Sequence, residues 1–276
     1  MNAPIVIKER VYLLLLCIMP FVLYAQENIE KETKGEFYFS WGYNAEWYTH
    51  SNIHISQPSL GNSYTFEAAR AHDHTGWDKG IFSEAVTIPQ YNYRLGYIFN
   101  DKKGWGFEIS FDHTKYILAD QNVHIKGTLN NKPFNGTVKF AANNSDSSSH
   151  YYLNNGANFL LFNIVKRWHL FCNRQGSIKL DGYAKTGIGP VIPHVDNKFF
   201  TQPENDGHFQ LGGLNVGLEG TVKVTFFNCV FLEYCNKLDY ARYWGLRSYK
   251  GTASQGFGTY EMILNLGGVI PIGRSE

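Results

Sequence analysis

Apolar and polar residues alternate with a period of two along most of the chain, and the period of about 3.6 that marks a helix hardly occurs. Phe37, Phe39, Trp41, Tyr43, Ala45 and Trp47 alternate with Tyr38, Ser40, Gly42, Asn44 and Glu46. Tyr91, Tyr93, Leu95, Tyr97 and Phe99 alternate with Gln90, Asn92, Arg94 and Gly96. After a turn at 100–103, Trp105, Phe107, Ile109 and Phe111 alternate with Glu108, Ser110 and Asp112. Leu160, Phe162 and Ile164 form the least regular stretch, and four more lie at 178–188, 214–224, 230–237 and 261–270. The pattern predicts eight strands.

The connectors alternate as well. Segments 49–86, 119–150, 194–207 and 244–258 are long and polar, whereas 100–103, 166–176 and 226–228 are shorter. Long loops on one side, short turns and both ends on the other, predict an all-β fold. The expected architecture is an eight-stranded antiparallel transmembrane (outer-membrane) β-barrel with long extracellular loops. The polar faces carry Arg94, Lys179, Lys185, Lys223 and Lys237 against Glu46, Glu108, Asp112, Asp181, Glu219 and Glu233. Eight strands leave room only for side chains, so these charges are expected to pair in a filled lumen and not to line a pore. A soluble lipocalin-like barrel is the rival; it turns the apolar parity inward and leaves the aromatic strand ends unexplained. Segment 63–72, "SYTFEAARAH", is expected to extend a hairpin above the membrane, and "NNSDSSSH" at 143–150 is of low complexity.

Composition narrows the setting. Net charge is +1 over 276 residues, so no basic field points to nucleic acid. Lys8 and Arg10 precede an apolar run from Val11 to Tyr24 that stops at Ala25. This reads as a signal peptide over 1–25, leaving 26–276 as a single barrel domain. The expected location is the outer membrane of a Gram-negative-type envelope. The expected partners are outer-membrane lipid, lipopolysaccharide and the barrel assembly machinery, with the chain a monomer. Cys172, Cys229 and Cys235 are too few for a disulfide framework. Either Cys172 pairs with Cys229 or all three are free.

The alternation breaks at one place that bears on chemistry. His113 and Lys115 fall on the apolar parity. A crossing strand needs roughly 9–11 residues, so a strand entering at Trp105 reaches the outer interface at 113–115. His194, in "GIGPVIPHVD", sits at the matching end of its own strand. At that depth imidazole or ammonium can face lipid phosphate without entering hydrocarbon. The plainer reading makes both histidines wetted rim residues. His72-Asp73-His74 has metal-ligand types but reads as a solvated turn. Glu233 is expected to face inward and to pair with Lys223 or Lys179. Phosphate loops, zinc spacings and hydrolase elbows are missing.

Several segments together carry a family resemblance. "SYTFEAARAHDHTGW", "PQYNYRLGYIFNDKKGWGFEISFDHTKY", "NNGANFLLFNIVKRW", "GYAKTGIGPVIPHVD" and "FQLGGLNVGLEGTVKVTFFNCVFLEY" occur in this order. Over residues 63 to 240 the chain resembles the lipid A oxidase-like outer-membrane barrels. The resemblance implies a small barrel that oxidises the proximal glucosamine of lipid A to aminogluconate with dioxygen as co-substrate. The family's F-x-H-x-K matches Phe111, His113 and Lys115, and its P-H-[VE] matches Pro193, His194 and Val195, with Asp196 where the family has its usual acid. Its E-Y-K matches Glu233 and Tyr234, with Cys235 for the lysine. Its T-D-G-x-N is here Asn154-Asn155-Gly156-Ala157-Asn158, which loses a carboxylate.

The candidate catalytic residues are therefore His113, His194, Asp112 and Glu233, with Lys115 and Arg94 as substrate-binding groups. His113, His194 and Asp112 are expected either to hold a divalent metal or to act as acid and base on a lipid A sugar. The rival function is a non-catalytic structural or adhesion barrel presenting loops 49–86 and 119–150. A weaker third is lipid A deacylation through His54, Ser56 and an acid.

Overall fold

The computed structural model describes residues 35–76, 89–99, 103–142 and 148–272. The expected signal peptide and residues 143–147 of the low-complexity run lie outside the described residues. In chain order the first strands are β1 (Gly35–Tyr48), β2 (Ser51–Gln57), β3 (Asn62–Ala69), β4 (Ala71–His72), β5 (Tyr91–Ile98) and β6 (Trp105–Asp112). Next come β7 (Tyr116–Leu118), β8 (Gln121–Leu129), β9 (Lys132–Phe140), β10 (His150–Leu153), β11 (Phe159–Cys172) and β12 (Ile178–Val191). The last are β13 (His194–Lys198), β14 (Asn205–Phe209), β15 (Gly213–Phe226), β16 (Val230–Ser248) and β17 (Gly251–Ile272).

Eight of these, β1, β5, β6, β11, β12, β15, β16 and β17, pair antiparallel in that order, and β17 returns to β1. Gly35 stands opposite Ile272, so both described ends lie at the short-turn rim. Closure leaves no free edge within the barrel. The apolar parity faces outward: Phe39, Leu95, Ile164, Leu218, Leu238 and Leu264 are each at least half exposed. Trp105 and Trp168 ring the short-turn end, with the Lys166 ammonium over both rings. Tyr43, Tyr91, Trp47 and Tyr260 stand at the far end, the last two in ring contact. An apolar band between aromatic girdles fits a bilayer outside and excludes the lipocalin-like arrangement.

The lumen is filled as expected. Arg94 reaches Asp112 at 2.6 Å, Glu219 at 3.4 Å and Glu108 at 3.9 Å. Lys185 bridges Glu108 at 2.7 Å and Glu219 at 2.9 Å. Above them Lys237 meets Asp112 at 2.6 Å, Asp239 at 3.0 Å and Glu261 at 3.6 Å. Nearer the short turns the Lys223 ammonium lies 4.0 Å from the Tyr38 ring centre and 4.1 Å from that of Phe231. These ion-pair side chains are no more than 2 % exposed. Such charges are stable away from water only when mutually paired, which ties together β5, β6, β12, β15, β16 and β17.

The long connectors depart from expectation, because they fold into a β-rich cap. The hairpins β2–β3 and β8–β9 join through β3–β8 into one sheet, attached to the barrel where β2 pairs with residues 252–254 of β17. The expected hairpin in 63–72 is the β3 arm of this sheet. A second sheet runs β14–β13–β10–β7–β4. Between the sheets lie Ile53, Tyr64, Phe66, Ile125, Phe140, Tyr151 and Phe199, continuous with Phe159, Tyr243 and Phe257 at the barrel top. Segment 244–258 is no loop: β16 and β17 run on as a ribbon to a turn after Ser248. Its alternation is masked by an irregularity between Tyr243 and Leu246, where Gly245 adopts φ 65°.

Candidate functional site at a crease in the wall

The second sheet continues the barrel wall upward: β7 extends β6, β10 precedes β11 and β13 extends β12. Asp112 pairs with Phe159, and Tyr116 pairs with Leu153. Residues 113–115 on one segment therefore face 154–158 on the other. The two extra residues come from Asn154-Asn155-Gly156-Ala157-Asn158, which acts as a wide bulge and creases the wall. Gly156 adopts φ 124° and Asn158 φ 34°. A Cβ on Gly156 would fall within 2.4 Å of the Asn158 side chain, so the bulge needs glycine there.

His113 leaves the strand at this crease. Its ring stacks on Tyr91, an outward-facing residue, with centres 4.7 Å apart and planes 10° from parallel. His113 therefore lies on the outer surface, eight residues and about 20 Å above the Trp105 girdle at the usual strand tilt. Its Nδ1 lies 2.8 Å from Asn158 Oδ1. The Asn158 amide nitrogen donates to the Ile192 carbonyl at 3.0 Å, so Oδ1 is the acceptor and His113 Nδ1 carries the proton. The Nε2 lone pair is then left as a base. Burial lowers the His113 pKa, Asn158 partly opposes this, and Lys115 lowers it further. The ring is neutral at pH 7.

The other candidates divide between two compartments. Asp112 and Arg94 are both buried in the lumen and bonded to each other. Strand alternation sends Asp112 inward and the outer end of the wall sends His113 outward. Asp112 accordingly lies apart from His113 and His194 and joins neither in a ligand or acid–base set. Glu233 accepts from Ser40 at 2.6 Å and Asn265 at 3.0 Å, with Lys223 3.9 Å away, as its inward parity implied. It lies four residues, about 13 Å, below the level of Lys237. Arg94, at 0 % exposure, offers no surface to a lipid.

Lys115 also turns inward despite its parity, because 113–115 is not in strand conformation. It is 7 % exposed, and its carbonyl accepts from the Tyr48 hydroxyl at 2.8 Å. His194 lies on the same wall as His113. Its N–H donates to Gly156 O, just as the Ile192 N–H donates to Asn158 O. Two segment spacings sideways and one residue pair upward separate the two histidines, placing their Cα atoms about 12 Å apart. His194 packs edge-on against Phe209, with ring centres 5.0 Å apart. His54 pairs with Thr65 on the exposed face of the cap, not with Ser56.

Asn158 and Tyr91 are the partners that sequence reasoning did not assign to His113. A further group missed is Asp73. Its carboxylate accepts from the Glu46 and His74 N–H groups at 2.8 and 2.7 Å and from the Gln90 amide at 3.1 Å. Burial, despite these donors, pushes Asp73 up to about 6. A raised carboxyl pKa means that the folded state binds the proton more tightly. Its stabilising share is full below about pH 4 and is lost as pH rises through about 6. Wild type is expected to lose on the order of 1–2 kcal/mol more than Asp73→Asn between pH 4 and 7 in urea unfolding, after allowance for screening. Equal losses would contradict this.

Closed walls, an apolar exterior and a charge-filled lumen define the class: a transmembrane β-barrel of the outer-membrane type, sealed above by a folded β-cap. No family model matches the sequence, and no curated protein matches it. Among solved structures the chain is similar to OprG from Pseudomonas aeruginosa at 9 % identity and a TM-score of 0.38, covering 89 % of this chain and 100 % of that one. It is similar to the protease OmpT from Escherichia coli at 9 % identity and a TM-score of 0.38, covering 89 % and 99 %. It is similar to Ail of Yersinia pestis at 10 % identity and a TM-score of 0.33, covering 86 % and 100 %. The class rests on the chain's own geometry.

Proposed function

We propose that the chain resides in a Gram-negative-type outer membrane and works from its outer rim on lipopolysaccharide, with His113 as the acting group. One observation carries this reading. A neutral imidazole at the end of β6 is fixed in one tautomer by Asn158 and braced on the outward-facing Tyr91, which keeps its Nε2 as a base. The packed lumen argues against transport. In the oxidative form implied by the family resemblance, the C–H and O–H bonds at the hemiacetal carbon of a lipid A sugar break and a C=O bond forms. Two electrons and two protons pass to dioxygen to give hydrogen peroxide, and Nε2 takes the hydroxyl proton on its way. The test is mass spectrometry of lipid A from cells carrying wild type, His113→Ala or no copy. A mass change present only with wild type supports the reading. An identical lipid A profile in all three, with the barrel folded, overturns it.

A non-catalytic interaction barrel is favoured by a different observation. The cap is packed around a core that continues into the barrel top, and it ends in β9, an edge strand hydrogen-bonded on one side only among the described residues. That reading expects cap deletions, not His113→Ala, to alter adhesion.

A further inference from the structure

We propose that His150, Asp196 and Glu204 bind a divalent cation of the zinc class on the outer face of the cap wall. The three residues are distant in sequence and are brought together by the β10–β13 pairing and the turn leading into β14. His150 Nε2 lies 2.9 Å from Asp196 Oδ1 and 3.8 Å from Glu204 Oε1. The three ligand atoms all lie within 4.8 Å of one another. With metal–ligand bonds of about 2.0–2.2 Å, ligand atoms around one ion stand roughly 3–4 Å apart. A small rotation of the exposed Glu204 side chain completes that spacing.

Charge makes the case stronger than proximity does. A protonated imidazole has a single Nε2–H, and Asp196 already occupies its direction. Glu204 then faces a second carboxylate with no proton between them. Among the described residues neither carboxylate is ion-paired with lysine or arginine. A neutral imidazole and two carboxylates carry a charge of −2, which a divalent ion cancels. One nitrogen with two carboxylate oxygens suits zinc or manganese better than calcium, which prefers six or more oxygens. The His150 side chain is 11 % exposed and its ring stacks on Tyr152 with centres 4.8 Å apart, which fixes the direction of Nε2. Three protein ligands leave at least one position open for water.

Asp196 lies two residues beyond His194, so the two share the outer face of the wall. The site is nevertheless independent of the lipid reading, and its test contains no lipid substrate. The full chain, purified in detergent without a polyhistidine tag, is titrated calorimetrically with zinc chloride, and with calcium chloride for comparison. One equivalent of zinc is expected, with affinity reduced more than about 100-fold in His150→Ala and Asp196→Asn, beyond the effect typical of an outer-shell change. Saturation far below one equivalent, or uptake undiminished in both variants, overturns the site and points to the other surface histidines. X-ray absorption of the zinc-loaded wild type needs no variant. Nitrogen and oxygen ligands with a single imidazole support the site, and sulfur or several imidazoles contradict it.

Discussion

Lys185→Met is expected to destabilise the barrel by about 3–5 kcal/mol, more than any other single change considered. The ammonium bridges Glu108 and Glu219 at 2.7 and 2.9 Å, and all three side chains are at most 2 % exposed. Removing it leaves two carboxylates sharing the Arg94 guanidinium in a space closed to water. Methionine fills the volume, so a cavity does not confound the result. Adding Glu108→Gln removes one of the stranded charges. The double variant should therefore recover part of the loss, a coupling that a double-mutant cycle measures. Urea unfolding in lipid vesicles, read by tryptophan fluorescence, is the measurement. A loss below about 1 kcal/mol, as at an exposed pair, would show that water reaches the lumen.

His113→Ala is expected to reduce lipid A modification by a factor of about 100 to 10,000, the range typical of a positioned acid or base. Asn158→Ala should have a smaller effect, because it frees the tautomer without removing the ring. Asn158→Asp separates positioning from structure. A carboxylate beside Nδ1 favours the charged imidazole, so the pH profile should shift upward. A profile unmoved by Asn158→Asp, with the barrel folded, would place His113 outside the chemistry.

Much of this architecture was legible in the period-two pattern. Phe37 to Trp47, Tyr91 to Phe99 and Trp105 to Phe111 each place one parity against lipid and the other in the lumen, as a closed barrel requires. The cap was not legible. Ile53, Ile55, Phe66 and Ile125 meet in its core, but the strands between them carry polar residues on a solvated face. The hairpins pair over long separations, as in Glu67 with His124, which local pattern cannot reveal. Parity also failed at Lys115, where a bulge contributed by a different segment, 154–158, turned the side chain under the cap. The pattern's break at His113 coincides with the end of β6 at Asp112, while the partner Asn158 lies 45 residues away in sequence.

The wall separates two environments within a few residues of one strand, with the lumen at Ser110 and the outer surface at His113. Single cysteines at these two positions, in a chain with Cys172, Cys229 and Cys235 replaced by serine, test this directly. Each is labelled with a fluorophore in vesicles containing headgroup-level nitroxide lipids. The label at 113 should attach readily and be quenched strongly, whereas position 110, at 0 % exposure, should resist labelling until the barrel is unfolded. Ready labelling at 110, or a label at 113 that headgroup-level nitroxides do not quench, would contradict the account.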